Sequence, residues 1–454
     1  MKILDCTLRD GGYYNNWKFS NELINEYLQV MNDLKIDFVE IGFRFLDKVR
    51  TKGPTAYSDE SFLKSLKIPK NLKIGIMINA ADFINDENII SLAKKNFIPK
   101  QKSIISLVRI ACHHYEIENI IPLINWLKKS GYKVGVNIMQ IPELTFNDIK
   151  KSVLKIKKTK PNILYFADSL GSLNAKKTQY IIKKIRLFWK GSMGIHTHDN
   201  MGKALENSIA ATKNSVQWID STVTGMGRGP GNTRTEELLI ELQELKNSKI
   251  NNVPLLSLIR SYFNPLKKDK EWGTNPYYYL SGKYGIHPTF IQVMLNDSRY
   301  NESDIMGVIQ YLKKNGGKKY GNLDLNLASQ FYFKKPKGKW SPRSLINNRE
   351  ILILAPGKSI SLNKKPLEDF IKAKKPIVLA LNLQKEINNS LINFYIASHP
   401  LKLLADLDSH SILPQPLITP ASTIPKSLKK RLKNKKIFDY GIKISKDEFE
   451  FHDK

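Results

Sequence analysis

The chain alternates short, densely apolar runs with longer stretches whose apolar residues recur every three to four positions. The short runs predict strands at residues 2–6, 38–43, 72–78, 104–111, 132–139, 163–167, 193–196 and 217–222. Between them, helical spacing appears at residues 20–34, 117–130, 145–157, 175–189 and 203–214. Ser20, with Glu22 two positions on, is the expected N-cap of the first of these helices. Strand–helix alternation favours a parallel sheet, and eight repeats favour closure into a (β/α)8 barrel over an open, doubly wound sheet. No GxGxxG follows the first strand, which also disfavours a dinucleotide-binding start.

The fold class expected is therefore α/β, with a TIM barrel over residues 1–240. Residues 241–320 read as a mostly helical extension. Its aromatic stretch, WGTNPYYY at 272–279, is expected to pack between helices rather than to line a pocket. Residues 321–349, rich in Gly, Lys, Pro and Asn, read as a linker. A small α/β domain is expected over 350–454, with strands at 351–354, 377–383 and 394–397 and a helix at 366–373.

Lys and Arg number 72 against 42 Asp and Glu, a net charge of +30. Such an excess suits a polyanionic partner: nucleic acid, an anionic membrane surface or a phosphorylated substrate. Compositional drift in a chain rich in Lys, Asn and Ile gives the same excess. The basic residues are spread along the chain without a nucleic-acid-binding motif, so nucleic acid is not the expected partner. The densest run, KSLKKRLKNKK at 426–436, reads as a solvated face or tail. Two cysteines, Cys6 and Cys112, argue against a disulfide scaffold and against a cysteine-based zinc site. No signal-peptide pattern precedes the first strand, and no apolar run reaches the roughly 18–20 residues that span a bilayer. A cytoplasmic chain with no membrane span is expected.

Three motifs carry candidate chemistry. The first strand runs into Arg9-Asp10-Gly11-Gly12, where the glycines would let the backbone turn sharply. Asp10 suits an oxygen ligand for Mg²⁺ or Mn²⁺, and Arg9 could hold a carboxylate or stabilise an enolate oxygen. An ordinary salt bridge capping the strand is the alternative. At the seventh strand, His196 and His198 share one face of an extended segment and could face one ion, or form a core or surface pair. Asp199-Asn200 could orient those rings or start the next helix. After the eighth strand comes GMGRGPGN, residues 225–232, which could wrap a ligand, cradle a phosphate or be a flexible loop. Asn232 at its end could supply an amide oxygen.

TLRDGG (7–12), VEIGF (39–43), ADSLG (167–171), GIHTHDN (194–200) and GMGRGPGNTRTEEL (225–238) occur in this order and together resemble the DRE-TIM metallolyases, the HMGL-like and pyruvate carboxyltransferase family. The strand end VRIACH (108–113), ADSLG and GNTRTE are most similar to its 4-hydroxy-2-oxovalerate aldolases. The resemblance implies a divalent metal, Mn²⁺ or Mg²⁺, on Asp10, His196 and His198, possibly joined by Asn232. It implies that Arg9 stabilises an enolate, that Arg9, Glu40, Arg109 and Ser169 contact substrate, and that Tyr13 or His113 moves protons. Those aldolases have a histidine where Tyr13 stands, and an unperturbed tyrosine is a poor base at neutral pH. The family's hydroxymethylglutaryl-CoA lyases carry a cysteine in the glycine loop, and none stands at 228–232. The implied activity is cleavage or formation of a C–C bond in a 4-hydroxy-2-oxo acid, with small 2-oxo acid and aldehyde substrates and a homo-oligomeric assembly. A Claisen-type acyl-CoA synthase on the same site, and a non-catalytic barrel serving as a binding or assembly subunit, are the alternatives. The segment ILILAPGKSIS (351–361) resembles the start of a Rossmann-like domain. It is no Walker A motif, because Leu352 stands where glycine is needed. The C-terminal domain could take a nucleotide-linked ligand, dock a partner enzyme or support oligomerisation.

Overall fold

The computed structural model describes residues 1–84, 88–246, 250–296, 300, 302–315, 337–346, 348–398, 403, 406–424 and 426–441. The chain forms two compact units, Met1–Val293 and Met294–Lys454. In the first, eight parallel strands close into a barrel in sequential order. They are β1 (Lys2–Asp5), β2 (Phe38–Phe43), β3 (Lys73–Asn79), β4 (Ile105–Cys112), β5 (Lys133–Ile138), β6 (Ile163–Asp168), β7 (Met193–Thr197) and β8 (Trp218–Ser221). β1 closes the ring: Asp5 stands opposite Ser221 of β8 and Val39 of β2.

Strand side chains alternate between the lumen and the surrounding helices. Outward residues such as Ile3, Val39, Ile76, Val108, Val136, Leu164, Ile195 and Ile219 join the large core against the helices. Inside, Leu4, Cys6, Phe38, Leu107, Ile163, Tyr165 and Trp218 form a separate cluster. Two residues further along the same strands the lumen turns polar, with Glu40 after Phe38, Arg109 after Leu107 and Asp220 after Trp218. Two glycines make room for this layer. A Cβ on Gly135 would lie 3.1 Å from Arg109 Cγ, and one on Gly194 would lie 2.3 Å from the Tyr165 ring.

Cys6 alone separates β1 from helix α1 (Thr7–Asn15). The expected sharp turn at Gly11-Gly12 is therefore corrected: both glycines are inside α1. Their role is close approach. A Cβ on Gly11 would come within 2.6 Å of Met226 Sδ, and one on Gly12 within 2.1 Å of the Trp17 indole. Helix α2 (Asn21–Asp33) begins at Ser20, whose Oγ accepts a hydrogen bond from the Leu23 N–H, as expected.

Past the barrel, Trp272 Nε1–H donates to Thr224 O and the Thr274 hydroxyl donates to Asn200 O. Helix α3 (Pro276–Tyr284) is tied by Ser281 Oγ to Asn200 Nδ2 at 2.9 Å. Trp272 and Tyr278 thus pack over the barrel loops, with Trp272 5.9 Å from Tyr14, whereas Thr274, Pro276 and the exposed Tyr279 line a cavity with Met201.

In the second unit, β9 (Ile351–Leu354), β10 (Ile377–Leu381), β11 (Phe394–Ile396), β12 (Leu417–Thr419) and β13 (Ile437–Asp439) form a parallel sheet in sequential order. Among the described residues, the sheet shows no order reversal of the kind at which open α/β sheets form their ligand crevice. Helix α4 (Lys364–Lys374) joins β9 to β10. Most of the expected linker, at 321–336 and 347, lies outside the described residues.

Candidate metal centre

Asp10, His196 and His198 come together at the C-terminal rim of the barrel. One ligand atom from each lies within 4.8 Å of the other two, and all three residues are buried. Both imidazoles are oriented through Nδ1. His196 Nδ1 is 2.9 Å from Asp220 Oδ2, and His198 Nδ1 is 3.0 Å from the Asp168 carbonyl oxygen. Nδ1–H donation to these acceptors leaves each Nε2 lone pair for a cation. Asp10 Oδ2 is buried, makes no hydrogen bond among the described residues and lies 3.3 Å from His196 Nε2. A buried orphan carboxylate oxygen beside two imidazole nitrogens fits a divalent cation.

The electrostatics agree. Burial would raise the Asp10 pKa, but the Arg9 charge and His196 outweigh it and hold the carboxyl well below the usual range. Burial would lower His196, yet the neighbouring Asp10 and Asp220 carboxylates raise it. His198 is pushed down by burial, and then by the His196 and Arg228 charges, so it stays neutral. A second group, Cys6, His196 and Asp220, also lies within ligand distance. Burial holds the Cys6 thiol protonated, and it donates to Ser221 O at 3.5 Å, so it makes a poor ligand set.

Asn232 reaches the triad from the glycine loop. Its Nδ2 lies 3.1 Å from His196 Nε2 and 3.2 Å from Thr197 O, while Oδ1 makes no hydrogen bond among the described residues. Donation to Thr197 O fixes the amide with its nitrogen toward His196 Nε2. The loop itself is fixed rather than flexible. Gly231 O accepts from Asp199 N–H at 2.8 Å, Gly229 O accepts from the Tyr14 hydroxyl at 2.6 Å, and Gly229 and Gly231 have positive φ. Asp199 starts the next helix, its Oδ1 accepting from Ala204 N–H, and Asn200 holds Ser281, so neither orients the histidine rings.

Beneath the triad runs a chain of buried charges. Arg9 Nε donates to Glu40 Oε2 at 2.7 Å, and Arg9 Nη1 lies 2.9 Å from Asp10 Oδ1. Arg109 donates twice to Glu40 and once to Asp220, each at 2.6 Å, and stacks 4.6 Å from the Tyr165 ring. Glu40 and Arg109, expected to touch substrate, are thus fully buried and spent on one another. Arg9 keeps Nη2, buried and without a hydrogen bond among the described residues. Ser169 Oγ accepts from Gln140 N–H at 3.1 Å, fastening the strand end rather than leaving the whole hydroxyl free.

At the rim, Tyr13 is 38 % exposed and packs edge-on against Trp17 and Phe43. His113 follows β4, stacks on Tyr115 at 5.2 Å, and is pushed down to about 4 by burial and by His114. The structure adds His287, absent from the sequence reading. It is buried, neutral through burial, and within electrostatic reach of Arg228, His198 and His113. Its Nδ1 accepts from Thr289 N–H. The signal available was one of only eight histidines, set between Gly285 and Pro288. Asp220, which orients His196, was missed as part of an unremarkable strand.

The HMGL-like family model matches residues 104–260. The solved N-terminal domain of a candidate aldolase from Bacteroides vulgatus is 32% identical, with 66% of this chain and 97% of that one covered at a TM-score of 0.58. The chain belongs to the HMGL-like family. Other relatives include an oxaloacetate decarboxylase of Mycobacterium tuberculosis, 23% identical over 53% of this chain and 69% of its own length. A 4-hydroxy-2-oxovalerate aldolase of Carboxydothermus hydrogenoformans is 26% identical over 54% of this chain and 71% of its own length. A 2-isopropylmalate synthase of Caldanaerobacter subterraneus is 25% identical over 53% of this chain and 61% of its own length. HMGL-like relatives are thus lyases, aldolases and synthases, and enzymes of this family use a divalent metal. Among the described residues of this HMGL-like chain, no helix is long and apolar enough to cross a membrane.

Proposed function

We propose that the barrel is a divalent-metal-dependent aldolase that breaks or forms the C3–C4 bond of a 4-hydroxy-2-oxo acid through a pyruvate-type enolate. The observation that carries this reading is the convergence of Asp10, His196 and His198 beside the spare Nη2 of Arg9. Oxaloacetate and 4-hydroxy-2-oxovalerate, named for two relatives, are both 2-oxo acids whose cleavage leaves the same three-carbon enolate.

In this reading Asp10, His196 and His198 hold Mn²⁺ or Mg²⁺, with Asn232 as a fourth ligand. When bound, such an ion supplies Lewis-acid polarisation of the 2-oxo acid. Arg9 turns Nη2 toward the carbonyl oxygen and stabilises the negative charge that develops there. Glu40 and Asp10 fix its guanidinium, so little reorganisation accompanies the reaction. His113, neutral at pH 7, takes the 4-hydroxyl proton. The C3–C4 bond breaks, its electrons pass to the carbonyl, an aldehyde leaves, and the proton held by His113 is returned to C3, giving pyruvate and restoring the neutral imidazole. Tyr13 and the Ser169 hydroxyl donate hydrogen bonds to substrate oxygens. Glu40 and Arg109 act as positioning residues behind Arg9 and His196.

The test is turnover of 4-hydroxy-2-oxo acids by the full, Mn²⁺-loaded chain, followed as pyruvate released. The proposal expects release that chelator and Asp10→Ala abolish. Absence of release from every such acid, with acyl-CoA-dependent consumption of a 2-oxo acid instead, would replace aldol chemistry by Claisen condensation.

A further inference from the structure

Three arginines surround the ligand triad, and their partners differ. Arg109 is spent on Glu40 and Asp220, whereas Arg9 pairs with Glu40 and Asp10 through Nε and Nη1 and keeps Nη2 for the 2-oxo acid. Arg228 makes no ion pair among the described residues. Its Nε is buried and makes no hydrogen bond among them. It nevertheless belongs to the site. A Cβ on its neighbour Gly227 would lie 3.4 Å from Asp10 Oδ2, and the Arg228 guanidinium lies 5.8 Å from the Tyr13 ring. Its charge also acts on the His198 and His287 rings.

The groups around Arg228 sharpen its meaning. Burial holds His113 and His287 neutral, and among the described residues no carboxylate pairs with the guanidinium. The loop that carries Arg228 is fastened by Tyr14 to Gly229 O and by Asp199 to Gly231 O. A cation held in place, partly desolvated and without a counter-charge, is completed by an anion. The carbons of pyruvate are committed to the triad and Arg9. Arg228 stands with the half-exposed Tyr13 at the rim.

We propose that Arg228 receives an anionic terminus, a carboxylate or a phosphate monoester, carried by the aldehyde half of the substrate. This rests on the aldolase reading above and narrows its substrate class. A small neutral aldehyde would leave Arg228 unpaired, so the discrimination is written into the empty partner position rather than into shape.

The experiment runs the aldol direction with the full, Mn²⁺-loaded chain, pyruvate, and one of three acceptors. Propanal is neutral, succinic semialdehyde ends in a carboxylate, and glyceraldehyde 3-phosphate ends in a phosphate monoester. One charged acceptor should exceed propanal in kcat/KM by roughly 10- to 100-fold, the range of a charge-assisted hydrogen bond. Which charged acceptor leads decides between carboxylate and phosphate. Arg228→Gln should collapse that ratio toward one, and Arg228→Lys should restore part of it. Equal kcat/KM for all three acceptors, or a charged preference that survives Arg228→Gln, would overturn the proposal. Methyl-proton exchange of pyruvate by the wild-type chain separates the two readings. Exchange without an anionic preference sinks only the role of Arg228, whereas no exchange sinks the aldolase and this inference with it.

Discussion

Arg109 donates three hydrogen bonds to two carboxylates, and each carboxylate holds another member of the site. Glu40 passes the contact to Arg9, and Asp220 passes it to His196. Removing the cation leaves two buried anions facing each other across the lumen. Arg109→Met should therefore cost about 3–5 kcal/mol of stability, the penalty for breaking a buried pair. In whatever fraction folds, His196 loses its fixed orientation, and Mn²⁺ affinity should fall roughly 10- to 100-fold, as for other groups that orient metal ligands. Denaturant unfolding and Mn²⁺ titration measure the two effects. A folded variant with unchanged Mn²⁺ affinity would contradict the positioning role.

Helix α1 places Arg9 and Asp10, and its two glycines run against local propensity. Gly12→Ala would gain about 1 kcal/mol from helix propensity alone. Its Cβ, however, would sit 2.1 Å from Trp17 Cδ1, and Trp17 Nε1–H also holds Arg9 O at 2.9 Å. Overpacking of this kind costs about 1–3 kcal/mol, so the sign should be destabilising, read as a lower midpoint in thermal unfolding. This helix shows where sequence reading stops. RDGG reads as a turn because Gly-Gly is locally unfavourable in a helix, and the contacts with Met226 and Trp17 that override this are tertiary. The barrel strands were legible because buried parallel strands are continuously apolar, and His196 and His198 because a two-residue period puts them on one face. The Glu40–Arg109–Asp220 chain was not, because its members lie 69 and 111 residues apart and ion pairing has no sequence period. His287 was hidden for a similar reason: contacts of Trp272 and Ser281 bring its segment to the rim. Strands β12 and β13, three residues each, are too short to display periodicity.

Across the whole molecule, titration separates one unit from the other's chemistry. In the C-terminal unit His410 is fully buried, and neither ring nitrogen makes a hydrogen bond among the described residues. Burial, with a smaller contribution from Lys435, pushes it down to about 4 from an ordinary 6.5. Between those values the unfolded chain binds a proton that the folded chain refuses. Stability contributed at pH 7 is therefore lost as pH falls from 6.5 toward 4, by up to roughly 3 kcal/mol. His410→Leu should flatten that slope in denaturant unfolding at pH 7 and pH 5, and an unchanged slope would contradict it. The barrel, in turn, is a scaffold that brings Asp10 from one end of its strand order to His196 and His198 near the other. The central claim is that this convergence holds a divalent ion and makes a 2-oxo acid enolise. The direct measurement is NMR of pyruvate with the Mg²⁺-loaded full chain in deuterated water. The account predicts loss of the methyl proton signal, abolished by chelator and by Asp10→Ala. Retention of the methyl protons of pyruvate and of longer 2-oxo acids by the loaded wild-type chain would contradict it.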